Sequence, residues 1–541
     1  MSTSHPRFRR LAAFSAALLL AACGGGGGGS TGPLPSFDTS AVAAADAGGM
    51  PNADWRAGPF AEIFVRGYQD SDGDGIGDLK GLTSRLDYLK DLGVTGIWLM
   101  PITRSQDHDH GYAVSDYRNV EPAYGSLDDL NALVAQAHAR GIGVVLDYVM
   151  NHSAAQHPAF VNANSGSGNA YRNWYIFNSP CPGGWSIYGN NPWRSGTDGC
   201  YFAPFWDQMP DFNLKNTTVV TWHQDNLRFW LNRGVDGFRF DAVGNLVENG
   251  PSAWENQPEN FALMGNIRDM VGGSYANRFL VCEGPSAPLA FATACGSAFA
   301  FGHQSDLINA AKGDTTAIAN LANYFRTAPA AMSTMLSNHD SFAGQRAMDQ
   351  FNGDEAQYKL AAATYLLQPG TPFIYYGEEI GMRGASANIG DDPKLRTPMS
   401  WTSSNTGSGG FTTGTPFRAL SSNVATNNVQ VQQANNTSLF NWYKAVIAAR
   451  QANPALRSGT HVSATATGTT LSFQRATSSQ RAVVMINYGS GPALVSASGL
   501  PANGLLTSVF PPGGVNADID AGGTASATIP AQSLRVFVIA P

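Results

Sequence analysis

The sequence predicts an α/β protein: a parallel sheet, open or closed into a barrel, that carries one insertion and is followed by an antiparallel β-sandwich. Three observations lead there. Short apolar runs alternate with helically spaced stretches from Ala61 to Tyr376. The alternation breaks once, between Met150 and about Leu214, in a stretch rich in Gly, Asn, Trp and Pro. After about Pro454 the chain changes to short Ser/Thr/Val/Ala runs separated by Gly-Pro and Pro-Gly turns, the cadence of a sandwich.

Residues 61–65, 96–100, 143–149, 235–241, 279–282 and 373–376 are the candidate strands. Several are continuous apolar runs, as strands buried on both faces of a parallel sheet should be. Residues 82–92, 127–140 and 219–232 have helical spacing between them. The strand–helix unit spans 54–455, with the inserted subdomain at about 150–215, and the sandwich spans 456–541. With 541 residues, 43% of them hydrophobic and 13% charged, the chain buries a large core and holds more than one unit. A net charge of -7 provides no basic footprint, which argues against a nucleic-acid partner. Aromatic residues crowd between Tyr171 and Trp230, where rings either stack on sugars or fill a core.

The N-terminus reads as a targeting segment. Arg7, Arg9 and Arg10 precede an apolar run from Leu11 to Ala22, too short for a bilayer and laid out as a secretory signal. Residues 1–22 are therefore expected to be removed on export. The run ends in Leu20-Ala21-Ala22-Cys23, which resembles the lipobox of bacterial lipoproteins, so Cys23 is expected to carry a lipid anchor. Contact with a membrane would then be through that lipid alone, and Gly24 directly after it favours the outer membrane. Residues 23–53, with glycine from Gly24 to Gly29, read as anchor and flexible linker. Of five cysteines, Cys181, Cys200, Cys282 and Cys295 remain once Cys23 is set aside. Proximity suggests Cys181 with Cys200 and Cys282 with Cys295, though four cysteines allow three pairings. Oligomeric state has no sequence signal.

Residues 70–81 read D-S-D-G-D-G-I-G-D-L-K-G. Carboxylates alternating with glycines can wrap oxygens around a hard, flexibly coordinated cation, which points to calcium. An EF-hand needs Glu at the twelfth place, where this chain has Gly81.

In a barrel, reactive groups gather where strands finish. Here the ends are polar: Asp147-Tyr148-Val149-Met150-Asn151-His152, Gly237-Phe238-Arg239-Phe240-Asp241, Val281-Cys282-Glu283 and Ser337-Asn338-His339-Asp340. Any one of these acids could merely cap a helix; the set in this order is much harder to read that way.

These motifs, with H-G-Y at His110 to Tyr112 and M-P-D-F-N-L at Met209 to Leu214, resemble the α-amylase family of retaining glycoside hydrolases. Within it they are most similar to members between the oligo-1,6-glucosidase and neopullulanase groups. The resemblance runs from about Phe60 into the β-rich tail and implies a (β/α)8 TIM barrel with a B domain after the third strand. It implies Asp241 as nucleophile, Glu283 as acid/base and Asp340 as the group that holds the sugar hydroxyls. His110, His152 and His339 would bond the same sugar, with Tyr112 as its stacking floor. Arg239 lies two residues before Asp241, so period-two alternation turns it to the same side, where its charge should keep Asp241 ionised. Glu283 must be held protonated by a less polar setting. A retaining mechanism expects carboxyl groups about 5 Å apart.

The resemblance also makes calcium structural: Asp70, Asp72, Asp74 and Asp78 with the carbonyl of Ile76 would brace the first loop. A further calcium involving Asn151 stays open. Many α-amylases have Lys-His where this chain has Gly244 and Asn245, so grip on the leaving side should differ. Ala242 after the nucleophile resembles α-1,4-acting members. The expected substrate is an α-1,4-linked glucan or maltooligosaccharide. The alternatives are a transglycosylase making trehalose, sucrose-derived glucan or longer oligosaccharides, a non-catalytic glucan-binding lipoprotein, and a calcium-binding adhesion protein.

Overall fold

A computed structural model describes residues 36–329, 331–403 and 407–539. Eight parallel strands close in sequence order into a barrel. They are β1 (Phe60–Ile63), β2 (Gly96–Leu99), β3 (Gly143–Tyr148), β4 (Gly237–Phe240), β5 (Phe279–Cys282), β6 (Ala298–Phe299), β7 (Met332–Thr334) and β8 (Thr371–Tyr375). β1 to β5 are buried at every position, which is why they read as unbroken apolar runs rather than alternating ones. Gly237 opens β4 because a Cβ there would meet the Phe279 carbonyl oxygen at 1.7 Å. The barrel interior is filled by Phe60, Trp98, Phe279, Phe299 and Phe373, and Met50 and Trp55 join the same cluster.

Two barrel strands escaped the sequence reading. β6 has two residues and β7 three, too few to show a period. The Ser337–Asp340 motif, expected to end a strand, instead lies in the loop after β7. The helix expected over 82–92 is two helices, Leu79–Ser84 and Leu86–Leu92, joined at Arg85.

The insertion after β3 folds around a small antiparallel sheet of Phe177–Asn178, Gly199–Phe202 and Trp193–Gly196. Cys181 bonds Cys200 within it, and Cys282 bonds Cys295 just past β5. Closing loops of this length removes unfolded-state freedom worth roughly 3 kcal/mol each. The tail forms a six-stranded antiparallel sheet between Thr460 and Ile539, with the pair Ala493–Ala497 and Ala525–Ile529 beside it. Val483, Met485, Phe537, Val495 and Ile529 form the core of that sandwich.

The expected signal segment and Cys23 lie outside the described residues. The expectation of a flexible linker through residue 53 fails from Ser36 onward. That stretch has no helix or strand before Asp54, yet it is a strap bonded to the barrel at successive points. The amides of Val42, Ala45 and Met50 donate to Asp225, Asn232 and Asp236. Asp38 pairs with Arg118 at 2.9 Å, and Asp46 with Arg278 at 2.5 Å. Phe37 enters a nest of His157, Tyr171, Trp174 and Trp222, with ring centroids 4.9–5.7 Å away. Side-chain acceptors on the barrel take the place of the ladder bonds that a strand would use.

Candidate active site

Arg239 stands at the centre of the barrel mouth, 1% exposed. Its Nη1 donates to both carboxylate oxygens of Asp147, each at 2.9 Å, and to Asp241 Oδ1 at 2.8 Å. Its Nη2 donates to Glu283 Oε2 at 2.6 Å. One guanidinium thus holds three carboxylates from β3, β4 and β5. The alternation argument for Arg239 and Asp241 describes what is observed.

After Asp241 the chain turns through Ala242, at φ 46°, and the Ala242 amide donates to Glu283 Oε2 at 3.0 Å. A non-glycine residue in the left-handed region is strained, and here the strain aims a donor at the expected acid/base.

Burial raises Glu283 to about 7; Arg239 opposes this, and the Asp241 and Asp340 charges add to it. Burial thus raises the proton affinity of Glu283 beside a cation rather than in an apolar pocket. Burial also raises Asp241, to about 6, with Arg239 pulling it down and Asp147 pushing it up. Arg239 does favour the ionised nucleophile, but its charge is shared among three acids, so Asp241 titrates higher than an ordinary aspartate.

A second cluster supports the first. His339 Nδ1 lies 2.6 Å from Glu62 Oε1 of β1, and His339 Nε2 lies 3.1 Å from Asp340 Oδ2. Arg396 Nη2 donates to Asp340 Oδ1 at 2.7 Å. Burial alone would lower His339, but Asp340 and Glu62 lift it to about 10. Burial would raise Asp340, yet His339 and Arg396 hold it well below the usual carboxylate range. Asp340 is thus a fixed anion.

Tyr112 is nearly parallel to His339, centroids 5.6 Å apart and planes at 14°, and its hydroxyl donates to Asp147 Oδ2 at 3.0 Å. His110 Nδ1 accepts the Tyr112 amide at 3.1 Å and lies 3.7 Å from Asp107 Oδ2. His152 is buried, which lowers it to about 3 and keeps it neutral; its Nε2 has no partner among the described residues.

The sequence reading missed Glu62, Trp98, Asp107 and Arg396 as site residues and quoted Asp147 without a role. Trp98 Nε1 donates to Asp147 Oδ2 at 3.2 Å. The signal for Asp147 was present in its strand-end motif. The other four carry no local pattern.

In the acidic loop, Asp70, Asp72 and Asp78 bring carboxylate oxygens within 4.8 Å of one another. Asp74 lies outside that trio, where its Oδ1 accepts the Ile76 amide at 2.7 Å. A second acidic group lies between barrel and insertion. Asn151 Oδ1 and both carboxylate oxygens of Asp211 and of Glu248 are buried without hydrogen-bond partners among the described residues. Burial, reinforced by Glu248, raises Asp211 well above its ordinary value. Uncompensated buried oxygens of this kind demand a proton or a cation.

Known proteins resemble the chain throughout this architecture. The family profile "Alpha amylase, catalytic domain" matches residues 62–459. "Alpha-amylase 3" of Dictyoglomus thermophilum is 35% identical over 353 residues, 63% of this chain and 67% of that protein. "Trehalose synthase/amylase TreS" of Mycolicibacterium smegmatis is 32% identical over 457 residues, 74% of this chain and 77% of that protein. The crystal structure of the alpha-glucosyl transfer enzyme XgtA superposes with a TM-score of 0.77 at 27% identity, covering 90% of this chain and 99% of that one. With its closed barrel, inserted domain and three carboxylates gathered on one arginine, the chain belongs to the α-amylase family of glycoside hydrolases.

Proposed function

We propose that the protein is a retaining glycosidase that cleaves α-1,4-glucosidic bonds in maltooligosaccharides or starch-type glucans. One observation carries the reading: Asp241 and Glu283 share the Arg239 guanidinium, while burial raises the proton affinity of Glu283. Asp241 attacks the anomeric carbon, and its ester bond forms as the glycosidic bond breaks. Glu283 gives its proton to the departing oxygen and then takes one from the incoming water. Asp340, held anionic, accepts hydrogen bonds from ring hydroxyls, with His339, His152 and His110 beside it and Tyr112 as the floor. Ala242 supports α-1,4 rather than α-1,6 action.

The test is product analysis on maltoheptaose, pullulan and sucrose with Asp241→Asn as control. Short maltooligosaccharides should appear first as α-anomers, and the control should lose about 10⁴-fold in turnover. Products longer than the starting sugar would move the assignment to a transglycosylase. That second reading is favoured by two exposed rings of the inserted domain, Phe205, 5.5 Å from the His152 ring, and Tyr188, 5.9 Å from Phe205, which offer an acceptor sugar a surface to stack on.

Calcium is proposed as a structural ion. Asp70, Asp72 and Asp78 are the ligands best supported, with Asp74 and the Ile76 carbonyl near enough in sequence to join them. Asn151, Asp211 and Glu248 supply the oxygens for a second ion, which would neutralise a buried pair of acids and take no part in bond cleavage. The protein is further proposed to be exported and lipid-anchored at Cys23; fatty-acid labelling lost in Cys23→Ser would support this.

A further inference from the structure

The seams of the barrel are not equally stitched. Four residue pairs align β4 with β5, from Gly237 and Phe279 to Phe240 and Cys282, and four join each of the three seams from β1 to β4. β5 meets β6 through the single pair of Cys282 and Ala298. Glu283 follows directly on that pair. Arg239 and Ala242 donate to its carboxyl, and its amide donates to the Phe240 carbonyl at 3.0 Å, so these bonds all come from the β4 side. On the β6 side the ladder leaves the acid/base one residue of support.

The Cys282–Cys295 bond crosses that thin seam. Cys295 is the last residue of the helix Pro288–Cys295, and the carbonyl of Ser297, two residues later, accepts the Cys282 amide at 3.0 Å. The disulfide therefore ties the residue before Glu283 to the segment that enters β6. It also closes the loop on which Glu283 lies, with a sequence separation of 13. The returning helix lies directly on the turn after Glu283, where a Cβ at Gly284 would meet the Phe291 ring at 2.1 Å. Cys282 and Cys295 are 0% and 1% exposed, so the bond is out of reach of a reductant in the folded protein and is set during folding.

We propose that this disulfide is a positioning device for Glu283: it replaces the ladder bonds that β5 and β6 lack and holds the carboxyl at the departing oxygen. This rests on the Asp241/Glu283 reading above and deepens it, since a general acid acts only within hydrogen-bond reach of the atom it protonates. Forming the bond joins two thiols as one S–S bond; two electrons and two protons pass to a disulfide oxidant, which is released as a dithiol. A chain folded without such an oxidant would close its barrel with the acid loosely placed.

The experiment compares maltoheptaose with α-maltosyl fluoride, whose fluoride is a weak base and leaves without a proton. On the fluoride, kcat/KM reports attack by Asp241 and needs little from Glu283. In the oxidised wild type, iodoacetamide added after denaturation should label neither Cys282 nor Cys295. The double variant Cys282→Ala, Cys295→Ala should lower kcat on maltoheptaose at least about tenfold with little change in KM, and leave kcat/KM on the fluoride within about twofold. Cys282→Val with Cys295→Ala, which refills the sulfur volume without the bond, should show the same split and keeps the test if the first variant folds poorly. Cys181→Ala with Cys200→Ala, which opens the other closed loop, should lower Tm without altering the ratio of the two rates, separating lost stability from lost positioning. Labelling of Cys282 or Cys295 in the oxidised wild type, equal losses on both substrates, or no loss on maltoheptaose would overturn the positioning role while the hydrolase reading stands. Failure of the wild-type protein on both substrates would overturn the hydrolase reading and the positioning role with it.

Discussion

Two groups of buried acids teach different lessons. Asp147, Asp241 and Glu283 are gathered on Arg239, whereas Asp211 and Glu248 have no ion-pair partner for their carboxylates among the described residues. Burial raises the proton affinity of both groups. In the first, a cation built into β4 offsets the acids, so the fold itself sets their charge and can use them for chemistry. In the second, charge balance must come from the medium, as a proton or a metal ion.

Removing the built-in cation should erase that contrast and have the largest effect. Arg239→Met leaves three buried acids uncompensated, and urea denaturation should show a loss of about 3–5 kcal/mol, together with near-complete loss of turnover. Chelation should act on the other group. A cation present at a hundredfold its dissociation constant stabilises by about 2.7 kcal/mol, so a chelator should lower the wild-type Tm. The double variant Asp211→Asn, Glu248→Gln should lose part of that sensitivity and keep only what the Asp70 loop contributes. Identical chelator shifts in the two proteins would leave protonation as the means by which the second group is neutralised.

The smallest effect concerns pH. Activity needs Asp241 ionised and Glu283 protonated. Asp241 titrates at about 6, so the rate should fall as pH drops below that. Glu283 titrates at about 7, so it should fall again as pH rises above that. The kcat/KM profile should be a narrow bell, about tenfold down per unit on either side, with limits that belong to the pair rather than to single residues. A bell displaced as a whole to lower pH would show that Arg239 dominates over burial, because its charge lowers both carboxyl groups.

The comparison also explains what could be read from the sequence. Asp147, Arg239, Asp241 and Glu283 end strands whose apolar runs are long enough to recognise, so fold and chemistry were legible together. Glu62 hides inside β1, and Arg396 lies beyond β8, 56 residues after its partner Asp340. Their importance exists only once the barrel closes and brings them to His339 and Asp340. Asp211 was visible in its motif, but its Glu248 neighbour was not, because burial rather than sequence pattern makes that pair matter. The strap from Ser36 looked like linker because many of its attachments are backbone groups, which composition does not reveal, with Phe37 and Met50 as its apolar anchors.

That strap has a consequence for assembly. Its bonds join residues 183, 186, 189 and 232 positions apart, among the costlier loops to close in a folding chain. The strap must therefore wait for partners synthesised much later, and its Phe37 contact with His157, Tyr171, Trp174 and Trp222 should be among the last to form and the first to open.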